Sequence, residues 1–226
     1  MEQAVRLAVD EINGAGGIFG RRIAVLSCDS ESDASEAAER ISHMRAFGIP
    51  AVIGAASSAV TLGAFTNAAK EAGMLMISPA STSPLITNLP DDGLLWRTVP
   101  SDVTQGLVIG EYILEQSFER VAIISIDDAY GNGLRDTIVA RICASGSGFV
   151  CDSQHFVSRT YSADTYSSDH QSTLTSMSEA GFVPDVTVLI AFPAQGEDYI
   201  LAANDPNARY LLADGMKTPE LFCAVP

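Results

Sequence analysis

Residues 121–131 read Val-Ala-Ile-Ile-Ser-Ile-Asp-Asp-Ala-Tyr-Gly, a run that begins as a strand and ends as the approach to a helix. Its apolar side chains follow one another without alternating with polar ones. That pattern predicts a strand covered on both faces, as in a parallel sheet. The acids and Gly131 break the run, and a helix is expected over 131–144. The same punctuation recurs in both directions. Downstream, strands are expected over 149–156, 186–192 and 210–213, with helices over 172–180 and 195–203 and a polar loop over 158–168. Upstream, Ala4, Val5, Ala8, Val9 and Ile12 share one helical face ended by Gly14, and a strand is expected over 23–28. Asp33-Ala34-Ser35-Glu36 reads as a capping box opening a helix to about Gly48. A strand over 51–54, a helix from Ser57 or Ser58 to Gly73, a strand over 74–77 and a helix from Ser101 or Asp102 to about Gln116 complete the series. Strands alternating with helices in this way predict the α/β class with parallel sheets and helices on both faces.

One sheet would need too many strands, so two lobes are expected, residues 1–118 and 119–226, with a hinge crossing near 117–120. The 226 residues include 13 basic and 28 acidic side chains, a net charge of −15. The acidity is even, with 15 acidic and 8 basic residues through Arg120 and 13 and 5 after it. No basic patch exists for a phosphate backbone or an anionic lipid surface, which argues against nucleic acid as a partner and against membrane-surface binding. No stretch approaches the roughly 20 apolar residues of a spanning helix, so no direct membrane insertion is expected. The amino end lacks a basic segment followed by an apolar run; on that reading either the protein is cytosolic or its leader lies outside the chain. Cys28, Cys143, Cys151 and Cys223 form no C-x-x-C pair and have no histidine at zinc spacing, so no metal site is expected. Cys143 and Cys151 bracket a Gly-Ser turn. They fit a disulfide in an oxidising compartment, or two buried free thiols.

Gly14-Ala15-Gly16-Gly17-Ile18-Phe19-Gly20 invites a dinucleotide reading, but Phe19 takes the third glycine position and the segment follows a helix instead of a strand. A helix stop and tight turn is the preferred reading, and no cofactor is expected. There is no phosphate-binding loop of the Walker type and no G-x-S-x-G elbow. His43, His155 and His170 lack ligand spacing and are expected as surface or loop residues. Asp127-Asp128 ends a strand where α/β enzymes often place an acid, yet no acid/base partner is visible, so no catalytic residue is assigned. What does stand out is hydroxyl chemistry at the carboxyl ends of strands, where open parallel sheets bind ligands. Ser57 and Ser58 fall at a helix amino terminus, where free N–H groups and the helix dipole favour an anion. The same residues also serve as ordinary helix caps.

Gly54-x-x-x-Ser58-x-x-Thr61 and the following Gly73-Met74-Leu75-Met76-Ile77-Ser78-Pro79-Ala80-Ser81-Thr82-Ser83-Pro84 closely resemble the leucine/isoleucine/valine-binding protein family, the type I periplasmic solute-binding proteins of ABC transporters. Ala8-Val9-Asp10-Glu11-Ile12-Asn13 with Gly16-Gly17-Ile18-x-Gly20-Arg21 is similar to the family's first helix and turn. Leu95-Trp96-Arg97-Thr98, Ser101-Asp102-x-x-Gln105-Gly106 and Tyr130-Gly131-x-Gly133 extend the resemblance over nearly the whole chain. It implies two Rossmann-like parallel-sheet lobes with a ligand cleft between them. The family begins with a strand before the first helix and continues past Pro226 with further crossings. By that comparison the fold is truncated, its first lobe lacking a strand and its second the later crossings.

Carried over by resemblance, Ser58 and Thr82 would bind the ligand α-carboxylate, and the Ala80 carbonyl and Thr82 hydroxyl would face its α-ammonium. Tyr130 would close over the ligand, Phe192 falls where amino-acid binders place an aromatic, and Asp214 matches the acid that pairs with the ammonium. Some members carry the longer Glu there, and Asp214 before Gly215 also reads as a turn acid. A zwitterion needs donors at one end and an acid with acceptors at the other, and this set supplies both. The resemblance implies a non-enzymatic, periplasmic or otherwise extracytoplasmic protein that captures a small amino acid, branched-chain or similar, and presents it to a membrane permease. A ligand-sensing domain of a receptor with the same fold, an enzyme using Asp127 or Asp128 as base, and a truncated product that binds nothing are the alternatives.

Overall fold

The computed structural model describes residues 1–218. Two compact units divide the chain. The first comprises Met1–Ser81 and Leu89–Val99, the second Thr82–Asn88 and Pro100 onward. This differs from the division at 118/119 read from the sequence. The helix α6 (Asp102–Glu115) lies along α7 (Ala129–Ile142) and so joins the second unit. Glycine makes that approach possible: a Cβ on Gly106 or Gly110 would sit 2.7 Å from the Thr137 side chain or 2.8 Å from that of Arg141.

In the second unit the strands β4 (Val121–Ile126), β5 (Phe156–Tyr161), β6 (Val186–Ile190) and β7 (Tyr210–Leu212) form one parallel sheet in the order β5-β4-β6-β7. Every residue of β4 and β6 is buried, Ser125 and Thr187 included, as the mainly apolar run of 121–126 predicts for a central strand. Ile123, Ile124, Val188, Leu189 and Ile190 pack there against Leu134, Ile138 and Ile142 of α7. The helices α8 (Tyr166–Glu179) and α9 (Pro193–Ala203) complete the alternation, and a short helix α5 (Pro84–Thr87) packs against α7.

The first unit is thinner. Its sheet holds β1 (Ala51–Ile53), β2 (Leu75–Ser78) and β3 (Leu95–Arg97), all parallel. The helix α2 (Ala34–Ala46) starts where the capping box places it, with the Asp33 carboxylate accepting from the Ser35 and Glu36 N–H groups. It packs on α3 (Ser58–Ala64), which runs on through a π turn at Phe65–Ala69 and α4 (Lys70–Ala72) to a left-handed Gly73. The first helix, α1 (Glu2–Gly14), has no buried residue.

Several sequence expectations shift. Residues 23–28 are not a strand: no ladder joins them, and the extended chain is held instead by the Asn13 amide, which exchanges bonds of 2.8 and 2.9 Å with the Ile23 backbone. A strand exists only beside a partner, and β1 pairs on one edge alone. The strand expected over 149–156 begins at Phe156, because Asp152 folds 152–156 into a turn by accepting from the N–H groups of Gln154 and His155. The polar 158–161 segment is therefore strand, and the helix after it begins at Tyr166. Its polarity reflects an edge position, with Arg159 and Thr160 exposed. His170 is not on the surface but 1% exposed, its Nδ1 2.8 Å from the Asp198 carboxylate. Of the two cysteine readings, Cys143 and Cys151 form the disulfide, while Cys28 is free and exposed. Cys223 lies outside the described residues.

Candidate functional site

The site residues expected from the sequence fall on both units, and each group is built locally. In the first unit, β2 delivers Ser78 and the loop after it delivers Ala80 and Ser81, while the loop after β1 runs through Ala55 and Ala56 into α3. The two loops are joined by buried hydroxyls. Ser78 Oγ donates to the Ala55 carbonyl at 2.6 Å and Ser81 Oγ to the Ala56 carbonyl at 3.0 Å, while Thr61 Oγ1 lies 2.8 Å from Ser81 Oγ. The Ser81 N–H returns a bond to Ser78 Oγ at 3.0 Å. Three hydroxyls thus saturate carbonyls that no ladder reaches. This framework fixes the start of α3, where Ser58 is buried, and leaves Ala80 exposed. The neighbouring Ser57 occupies the cap position without a side-chain capping bond.

In the second unit the arrangement follows sheet order. Tyr130 comes just after β4, Phe192 after β6 and Asp214 after β7, and these strands are consecutive neighbours in one parallel sheet. Their carboxyl ends therefore bring the three side chains to one edge. The Tyr130 hydroxyl donates to Asp214 Oδ1 at 2.8 Å and accepts from the Gly215 N–H at 3.1 Å. The Tyr130 and Phe192 rings lie 5.6 Å apart, tilted by 30°. Gly215 is required by crowding: a Cβ there would fall 2.7 Å from the Ala191 carbonyl and 2.9 Å from the Tyr130 hydroxyl. Burial pushes the Tyr130 hydroxyl up from its ordinary value, and the Asp214 charge and hydrogen bond push it further, so the phenol stays a donor. Thr82 is buried, and its carbonyl accepts from the Asp102 N–H at 2.9 Å, tying the loop after β2 to the start of α6.

Two residues at this edge were not assigned a role from the sequence. Asp102 is fully buried in the first turn of α6, and Gln105 follows one turn later. The amide orientation that satisfies the surroundings of Gln105 has its carbonyl accepting from the Asp214 N–H at 3.0 Å. Its NH₂ then reaches Asp214 Oδ1 at 3.0 Å and Asp102 Oδ1 at 3.2 Å. The sequence held the signal, since an i, i+3 pair lies on one helix face. The acids Asp127 and Asp128 serve locally: Asp128 caps α7 by accepting from the Tyr130 and Gly131 N–H groups, and Asp127 accepts from Asn132. Burial raises the Asp128 carboxyl above its ordinary value, against the pull of those two N–H groups.

A polar hollow bounded by Gln116, Phe118, Asp185 and Arg209 opens at the other, amino-terminal ends of β4, β6 and β7, away from these residues. No helix among the described residues is long and apolar enough to cross a membrane.

Residues 1–205 match the family model described as periplasmic binding protein. A Leu/Ile/Val-binding protein homolog of Brucella abortus is 35% identical over 139 residues, covering 60% of this chain and 36% of the relative. A chemotactic signal transduction system substrate-binding protein of Halobacterium salinarum, BasB, is 33% identical over 150 residues, covering 63% and 36%. The chain thus spans a little over a third of the length of these relatives. Among solved structures, the branched-chain amino acid transporter substrate-binding protein LivJ of Streptococcus pneumoniae, in complex with isoleucine, superposes with a TM-score of 0.77 at 27% identity, over 97% of this chain and 60% of that one. The leucine-binding protein LivK of Thermotoga maritima, at 20% identity and a TM-score of 0.79, shares the fold over 94% of this chain and 58% of its own. With a two-unit, parallel-sheet α/β architecture and a family match over most of its length, the chain belongs to the periplasmic binding protein family, whose members bind solutes.

Proposed function

We propose that this chain is the ligand-binding part of an extracytoplasmic protein that captures a small amino acid, branched-chain or similar, and delivers it to the permease of an ABC transporter. The observation that carries the reading is the Asp214 carboxylate at the end of β7. Its Oδ1 is held by the Tyr130 hydroxyl, while no hydrogen bond among the described residues engages its Oδ2. An oriented acid with one free oxygen suits an ammonium, and the tilted Tyr130–Phe192 pair beside it suits an apolar side chain. Ser58 and Thr82 are the donors assigned to the ligand carboxylate, with the Ala80 carbonyl and the Thr82 hydroxyl turned to the ammonium. The relatives' names, Leu/Ile/Val-binding and branched-chain amino acid transporter substrate-binding, point to the same ligand class. The Cys143–Cys151 disulfide fits an oxidising compartment.

The H. salinarum relative, named for chemotactic signal transduction, favours a second reading in which the same ligand site serves a sensory system. It shares the ligand and differs in the downstream partner.

A thermal-shift screen of the chain against the twenty amino acids, with urea, amides and aromatic acids as controls, tests the reading. A ligand at a hundred times its Kd adds about 2.7 kcal/mol of stability. The expected outcome is a raised melting temperature with leucine, isoleucine or valine, lost in Asp214→Asn. A shift only with a ligand lacking the α-ammonium would refute the assignment of the acid.

A further inference from the structure

Asp214 is exposed at the start of a single 3-10 turn, Asp214–Met216, and an exposed acid is ordinarily free to rotate its carboxylate. Here two groups restrict it, both holding the same oxygen: the Tyr130 hydroxyl at 2.8 Å and the Gln105 NH₂ at 3.0 Å. Gln105 does more than donate. Its carbonyl accepts the Asp214 backbone N–H at 3.0 Å, so one amide grips main chain and side chain of the same residue. Its second N–H meets Asp102 Oδ1 at 3.2 Å, and Asp102 is fully buried at the start of the same helix. The amide therefore stands between two carboxylates and gives one hydrogen to each, separating like charges that would otherwise repel across a partly buried cluster.

We infer that Gln105 is a positioning residue for the amino-acid clamp: its amide anchors Asp214 to the first turn of α6 and turns the carboxylate so that Oδ2 faces the ligand ammonium. The inference rests on the ammonium role proposed above for Asp214. A planar amide suits the task because it presents a donor pair and an acceptor in fixed relation. A hydroxyl is too short to span two acids, and a carboxylate would add a third negative charge beside Asp102 and Asp214. Among the described residues, the titratable groups that Gln105 touches directly or through Asp214 are Asp102 from α6, Tyr130 from α7 and Asp214 after β7. Gln105 touches the ligand in no step of this scheme. It acts through Asp214, and it couples ligand affinity to the seating of α6 in the second unit.

The test is calorimetric titration of the chain with L-leucine, L-isoleucine and L-valine, comparing the unaltered protein with Gln105→Met, Asp214→Asn and the double variant, each also melted thermally. Methionine keeps the length and removes every polar atom. The expected result is a Kd raised by about tenfold to a hundredfold in Gln105→Met, the scale of a lost hydrogen bond to a charged group. The double variant should bind no worse than Asp214→Asn alone, because the amide has nothing left to orient. A purely structural role would lower the melting temperature and multiply with Asp214→Asn, and that outcome overturns the inference. Affinity unchanged within twofold in Gln105→Met, with Asp214→Asn impaired, overturns it too while leaving the ammonium reading intact. Absence of binding to all three probes by the unaltered chain, or full binding by Asp214→Asn, overturns the ammonium reading and this inference with it. Should Gln105→Met fail to fold, Gln105→Asn keeps the amide but cannot reach both partners, and the same loss and the same non-additivity are expected of it.

Discussion

At the scale of single residues, the first unit depends on hydroxyls that do not face solvent. Ser81 is fully buried, donates to the Ala56 carbonyl and lies within 2.8 Å of both Ser78 and Thr61. Removing it leaves the Ala56 carbonyl and two buried hydroxyls each short of one partner. Ser81→Ala is therefore expected to cost about 1–3 kcal/mol, read as a lowered urea midpoint with an unchanged slope. A loss below a few tenths would mean that water replaces the hydroxyl and the network is not structural. These residues were visible in the sequence as a Ser/Thr-rich stretch after a strand, but not their division of labour. Ser78 and Ser81 turn inward to carbonyls of a loop more than twenty positions away, a pairing that only the sheet register brings about. Gln105 escaped for a related reason. An exposed-looking polar residue on a helix acquires its meaning from Asp214, more than a hundred positions later.

At the scale of elements, the legibility of the sequence tracked burial. β4 and β6 are runs apolar but for Ser125 and Thr187 and are covered on both faces, and their limits could be read within one or two residues. β5 is an edge strand whose polar residues hid it, and 23–28 has strand composition without a partner. Composition records what covers a segment, and the ladder is decided elsewhere. The starts of β4 and β6 are joined by one acid outside the candidate site. Asp185 Oδ2 accepts from the Glu119 and Arg120 N–H groups at 2.9 and 2.8 Å, and its Oδ1 lies 3.4 Å from the Arg120 guanidinium. Partial burial pushes this carboxyl up, but the two N–H groups and the Arg120 charge outweigh it and leave it below the ordinary carboxylate value. A group depressed in the folded state adds stability that is present above its unfolded pKa, about 3.9 for Asp, and lost as pH falls through the lower folded value. Asp185→Asn should thus cost roughly 1 kcal/mol at pH 7, a difference that shrinks once the pH drops below about 4. Chemical denaturation of both proteins at pH 7 and pH 3 checks it. An equal gap at both pH values would show that the amide fails for reasons of shape, not charge.

At the scale of the whole molecule, the two units are unequal in what holds them. The second has a four-stranded sheet with two strands buried end to end, a core running from Ile113 to Met216, and a disulfide closing the turn after α7. The first has three strands of three or four residues, an α1 that buries nothing, and an extended 23–28 segment outside any ladder. Local opening costs what the opened segment had buried, so the two units need not share one stability. In native-state hydrogen exchange, the amides of Val121–Ile126 and Val186–Ile190 are expected to exchange last, only on global unfolding of their unit. Those of Glu2–Gly14 should exchange by fraying, faster by orders of magnitude, with β1 and β2 between. Adding the ligand sharpens the expectation, because a bound ligand slows only those openings that release it. Leucine at saturating concentration should then slow exchange in β4 and β6, whose carboxyl ends lead to Tyr130 and Phe192, while leaving α1 unchanged. Unaltered exchange in β4 and β6 would mean that Tyr130, Phe192 and Asp214 do not hold the ligand.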